Sequence, residues 1–110
     1  MSRDIPESDW KLFRQLHPIA LNRFCEQVLT DIAHIVADTE ATPHERYLRI
    51  YKLVEQRDRT IGDAFNDLRR SIAIMRLLTI CSHDLITKDE IGRFTQETRD
   101  VISRFSTQRA

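Results

Sequence analysis

Apolar residues recur through the middle of the chain at alternating steps of four and three, broken by one acid. Tyr47, Tyr51, Val54, Asp58, Ile61, Phe65, Leu68, Ile72 and Met75 form this run. It is a heptad seam of about four repeats, the pattern of a long helix packed against other helices. Asp58 stands where the seam expects Leu or Ile. The seam predicts architecture and assembly more directly than it predicts any reaction.

The flanking segments read as helices too. Asp4-Ile5-Pro6-Glu7 supplies an N-cap acid, a proline in the first turn and a Glu three residues on, which is a capping-box arrangement. Trp10, Phe13, Leu16, Ala20, Phe24, Val28, Ile32 and Ile35 then recur every three or four positions. Pro18 removes a backbone donor and disfavours helical geometry at His17, so a kink or break is expected near 17–18 in a helix covering about 6–38. Thr42-Pro43-His44-Glu45 opens a second helix with Thr as cap, Pro at the first helical position and Glu closing the box. That helix can run from 43 to about 82, where Ser82-His83-Asp84 offers an exit through a left-handed His83. Thr87-Lys88-Asp89-Glu90 repeats the capping signature and starts a third helix, 88–105, with Ile91, Phe94, Thr98, Ile102 and Phe105 on its apolar face.

These elements predict one all-α domain over 1–110: an antiparallel bundle of three principal helices, the first kinked at Pro18 and the central one long. Forty helical residues span roughly 60 Å, whereas a compact chain of this length is about 34 Å across. The central helix therefore bends, with Gly62 as its weak point, or a second chain covers the overhang. The third helix is too short to cover the whole seam, so a homodimer is the expectation.

Composition changes this picture little. Only two Gly and three Pro among 110 residues agree with a helical chain, and seventeen basic residues balance seventeen acidic ones. A neutral chain has no overall field for nucleic acid or an anionic membrane. No apolar run reaches signal-peptide or membrane-span length, so a cytoplasmic location is the default. Cys25 and Cys81 lie far apart, which suggests neither a disulfide framework nor a zinc site. Glycine patterns for dinucleotides or phosphate loops cannot be written with Gly62 and Gly92 alone.

Candidate chemistry is sparse. Asp58 has three readings: a register-setting seam residue, part of an inter-helix ligand pocket with Arg57, or a solvated acid. Asp31-x-x-His34 is half of the carboxylate–histidine pairing of di-metal bundles, but it occurs once and on a polar face, so no metal is assigned. His17 and Cys25 lack the orienting group and oxyanion donor of a nucleophilic pair. Arg69, Arg70 and Arg76 invite a nucleic-acid reading, yet acids are interleaved with the arginines at helical spacing. Leu53-Val54-Glu55-Gln56-Arg57 resembles a Leu-rich stretch ending in Arg in small all-helical chorismate mutases. The Lys expected one repeat on is replaced by Leu68 and Arg69, and that class is set aside.

The expectation is a non-catalytic interaction or regulatory protein, without cofactor, that self-associates through its central helix and engages another protein by its surface. The alternatives are a small-molecule binder or enzyme with a pocket near Arg57 and Asp58, and a nucleic-acid binder using Arg69, Arg70 and Arg76.

Overall fold

A computed structural model describes residues 5–109, with side chains through residue 106. Its elements are α1 (Glu7–Ala37), α2 (Pro43–Phe65), α3 (Ala73–Ser82), α4 (Lys88–Ile91) and α5 (Gln96–Arg109), with a 3-10 turn at Arg70–Ile72 leading into α3. The described residues are all-helical and contain no strand. Among the described residues no helix is long and apolar enough to cross a membrane.

α1 is continuous, so the break expected near 17–18 does not occur. Pro18 is exposed, as is Arg14, whose carbonyl it leaves without a helical donor. That carbonyl can be satisfied by water, which makes an interior proline tolerable there. The helix starts at Glu7 with Pro6 in the cap position and no side-chain cap; the expected cap Asp4 lies outside the described residues.

The central helix is not one element. α2 ends at Phe65, and the chain turns through Asn66, Asp67, Leu68 and Arg69 before the 3-10 turn and α3. Asp67 adopts φ 64°, a left-handed conformation that Asp and Asn tolerate better than most residues. Gly62, the expected weak point, sits inside α2. The next exit also differs by one residue: Asp84, at φ 61°, takes the left-handed position, while His83 stays at φ −94°. The third predicted helix is likewise divided, into one-turn α4 and then α5, which continues to Arg109.

Both later capping boxes form. Thr42 accepts from the Glu45 amide while Glu45 accepts from the Thr42 amide, and Thr87 and Glu90 repeat the exchange.

Three cross-links fix α1 and α2 as an antiparallel hairpin. His17 pairs with the Phe65 carbonyl, Arg57 with Asp31, and Arg46 donates to the Val36 carbonyl. At its open end this hairpin packs into a head. Leu12, Phe13, Leu16, Ala20 and Phe24 of α1 meet Ala64 and Phe65 of α2, Leu77 and Ile80 of α3, Leu85, Ile86, Phe94 and Ile102. The head core stops there. Between Cys25 and Asp63 not one side chain is fully buried.

The shape follows. The radius of gyration is 16.8 Å and the extents are 55 × 25 × 24 Å, against about 13 Å expected for a compact chain of this length. The hairpin is a stalk that projects from its own core.

Candidate interaction surface

Each stalk helix carries two neighbouring apolar stripes. The first faces the other helix. Val28, Ile32 and Ile35 of α1 are half-buried, as are Ile50, Leu53 and the inward Arg46 and Arg57 of α2. A step of one residue rotates the position by about 100° around a helix. It gives Leu29, Ala33 and Val36 on α1, and Tyr47, Tyr51, Val54 and Asp58 on α2. All seven are exposed.

Antiparallel pairing unites these outer stripes. Two antiparallel helices turn in opposite senses when viewed from one end, so a one-residue advance carries both stripes to the same flank of the hairpin. The result is one apolar face built from both arms. Leu12, Phe13, Leu16, Ala20 and Phe24, which join the head core, lie on the opposite flank of α1 by the same rotation. The head therefore leaves this face uncovered. Tyr47 is 64% exposed, Tyr51 59% and Leu29 64%.

The predicted seam divides among three environments. Tyr47, Tyr51, Val54 and Asp58 point outward from the stalk. Ile61 packs against the head core, and Phe65 enters it, with His17 edge-on at 5.3 Å and Phe24 at 6.4 Å between ring centroids. Leu68, Ile72 and Met75 lie beyond the break, in the turn, the 3-10 turn and α3, with Met75 66% exposed. The half of the face contributed by Leu29, Ala33 and Val36 is missing from the expected seam. Its signal is a second four-and-three spacing, displaced by one residue from Val28, Ile32 and Ile35.

Arg57 and Asp58 separate. Arg57 turns toward α1, where Nη2 meets Asp31 Oδ2 at 2.9 Å. It lines an open cleft of about 570 Å³ with Gln27, Gln56 and Thr60, beside Phe24 and His83. Asp58 is exposed, one residue further around the helix.

The arginines proposed for nucleic acid are engaged within the chain. Arg69 pairs with Asp67, Arg70 holds the Ile5 carbonyl and Glu7, and Arg76 donates to the Asp63 carbonyl.

Asp31 is committed to Arg57 and His34 is exposed. Among the described residues no group of three or more metal-ligating side chains comes together. Both cysteines are free, and burial pushes the Cys81 thiol up to about 11. His17 lies between Phe13 and Phe65 as a packed, hydrogen-bonded side chain.

Two further polar links join later elements to α1. Arg23 forks onto Glu90 at 2.8 and 2.9 Å and also donates to the Leu85 carbonyl. The guanidinium hydrogen bonds hold the Glu90 carboxyl down at about 2. Asp9, 1% exposed, accepts from the Thr95 amide, the Thr95 hydroxyl and the Thr98 hydroxyl. Both links fasten the head and leave the outer face of the stalk untouched.

No protein family, curated protein or solved structure matches this chain.

Proposed function

We propose that this chain is a non-catalytic interaction protein that self-associates through the outer face of the α1–α2 hairpin, two hairpins together forming a four-helix bundle. The observation that supports this reading is the stalk itself: two long helices with no fully buried side chain between Cys25 and Asp63 and a shared apolar flank. Helices of this kind draw most of their stability from tertiary packing, and here one apolar stripe on each arm is unpacked.

Areas point the same way. A buried aromatic side chain contributes about 150–250 Å², so the two half-exposed tyrosines with Leu29, Val36 and Val54 present roughly 500 Å² of apolar surface. This is at the upper end of apolar patches on monomers, about 300–600 Å². A stable interface buries roughly 800 Å² per partner, so a polar rim of roughly 300 Å² has to join this apolar patch.

Light scattering behind size exclusion tests the proposal over a range of concentrations. The expected mass is twice 13.0 kDa, and Tyr51→Glu, which puts a charge in the middle of the face, shifts it to the monomer with helicity retained. A wild-type monomer at every concentration overturns the reading.

A second reading attaches to the cleft beside Arg57. A bound anion would compete with Asp31 for the guanidinium, so any ligand there replaces an existing ion pair. A thermal-shift screen of dicarboxylates and phosphate esters separates the two readings, since a ligand of the folded state alone raises the melting point.

A further inference from the structure

The outer flank changes character along its length, and that change selects one orientation of a second copy. On α1 the stripe reads Lys11, Gln15, Pro18 and Asn22 in its first half, then Leu29, Ala33 and Val36. All of these positions are exposed. The densest apolar part is in the distal stalk; nearer the head the same flank is carried mainly by Lys11, Gln15 and Asn22, with Pro18 and the part-exposed Ile19 among them. On α2 the apolar residues Tyr47, Tyr51 and Val54 are followed toward the head by Asp58.

The two apolar stretches also share one level. The Arg46–Val36 and Arg57–Asp31 links set the hairpin register. In that register the midpoint of Leu29–Val36 stands within about a helical turn of the midpoint of Tyr47–Val54. A single two-fold axis can pass through both.

Two closed arrangements bring such faces together. With the axis along the stalk, the heads lie at the same end, and the polar stretch from Lys11 to Asn22 is carried into the interface or alongside it. Asp58 then comes level with Glu26 of the other copy, both exposed acids. With the axis across the stalk, the heads lie at opposite ends. The polar stretches remain in water, Tyr47 lies over the other copy's Val54, and the small Ala33 sits at the axis. Asp58 is then level with the other copy's His44, whose ring N–H can donate to a carboxylate.

We infer that the occupant of this face is a second copy of the chain in the crossing-axis arrangement, stalks overlapped tip to tip and heads at the two ends. The inference rests on the self-association proposed above and goes further by fixing orientation and the Asp58–His44 contact.

Small-angle X-ray scattering on the full-length chain, at a concentration where light scattering reports a dimer, distinguishes the arrangements. Rods of 55 Å overlapped around a point about ten residues from the tip give a longest dimension near 80 Å. Rods side by side give a longest dimension of about 65 Å across the diagonal and no extent beyond one rod along the stalk. A dimer of the shorter length overturns the arrangement and leaves self-association standing; a monomeric mass removes both.

A double-mutant cycle gives a second readout. Asp58→Lys is expected to weaken the dimer about three- to tenfold, and adding His44→Asp to restore it. Along one α2 the two positions are roughly 21 Å apart, so coupling between them reports a contact between copies. Tightening by Asp58→Lys alone would place Asp58 against Glu26 and overturn the arrangement.

Discussion

Asp9, in the first turn of α1, receives the Thr98 hydroxyl of α5 at 2.6 Å, joining the first and last helices at a buried point. The same carboxylate takes the amide and hydroxyl of Thr95, the residue just before α5. Three donors therefore converge on one carboxylate that is 1% exposed.

Removing it strands them. Asp9→Ala is expected to lower unfolding stability by about 2–4 kcal/mol, since buried donors left without an acceptor carry their full desolvation cost. Asp9→Asn keeps one acceptor oxygen and is expected to lose less. Urea unfolding followed by circular dichroism measures both; equal losses would mean that the acceptor is not what stabilises this joint.

The Arg23–Glu90 fork predicts an acid response. Glu90 is held at about 2 in the folded chain, chiefly by the Arg23 hydrogen bonds, against about 4.3 for a free Glu. A depressed folded value means that the unfolded chain takes up the proton first, so the contribution is fully present above about pH 4.3 and is lost as pH falls toward 2. The melting temperature of wild type should fall across that window by more than that of Glu90→Gln. Parallel curves for the two proteins would show that the fork does not couple to folding.

Hydrogen exchange should separate the stalk from the head. Amides between Cys25 and Asp63 lie in a segment with no fully buried side chain, and such regions open at low free energy. Dilution through the dimer dissociation range is expected to speed exchange in the stalk and leave α3 unchanged. Concentration-independent protection of the stalk would contradict an intermolecular cover.

Asp58→Leu extends the apolar flank by one turn toward the head. Helix content should be unchanged and the dimer tightened about tenfold, because a newly buried Leu contributes more than an exposed polar pair gives up. Light scattering on dilution reads the shift; an unchanged midpoint would put Asp58 outside the buried area.

Local signals in the sequence translated well into structure. The boxes at Thr42–Glu45 and Thr87–Glu90 are each closed within four residues, and both form. The break after Phe65 was hidden because Leu68, Ile72 and Met75 keep helical spacing across a turn, although Asn66-Asp67 carried a left-handed signal. The division of α4 from α5 falls between Gly92, which ends α4, and Thr95, whose hydroxyl accepts from the Thr98 amide, and the tertiary contact of Thr95 with Asp9 reinforces it. The break expected at Pro18 is absent for the converse reason: Pro18 lies on a wet side of α1, where the lost bond matters less. On α2, the stripe facing α1 contains Arg46 and Arg57, so it looked polar beside the Tyr47–Val54 stripe. Periodicity gives one stripe on each helix, the inward one on α1 and the outward one on α2, and does not say on which of two adjacent stripes the hairpin closes.

The head core ends at Phe24 and Ala64, and everything between is held by repeating stripes and a few side-chain links. Matched insertions of seven residues, one in each arm, would preserve every buried neighbour in the head while lengthening the projection by about 10 Å. Reach is thus a property this chain could change independently of how it folds.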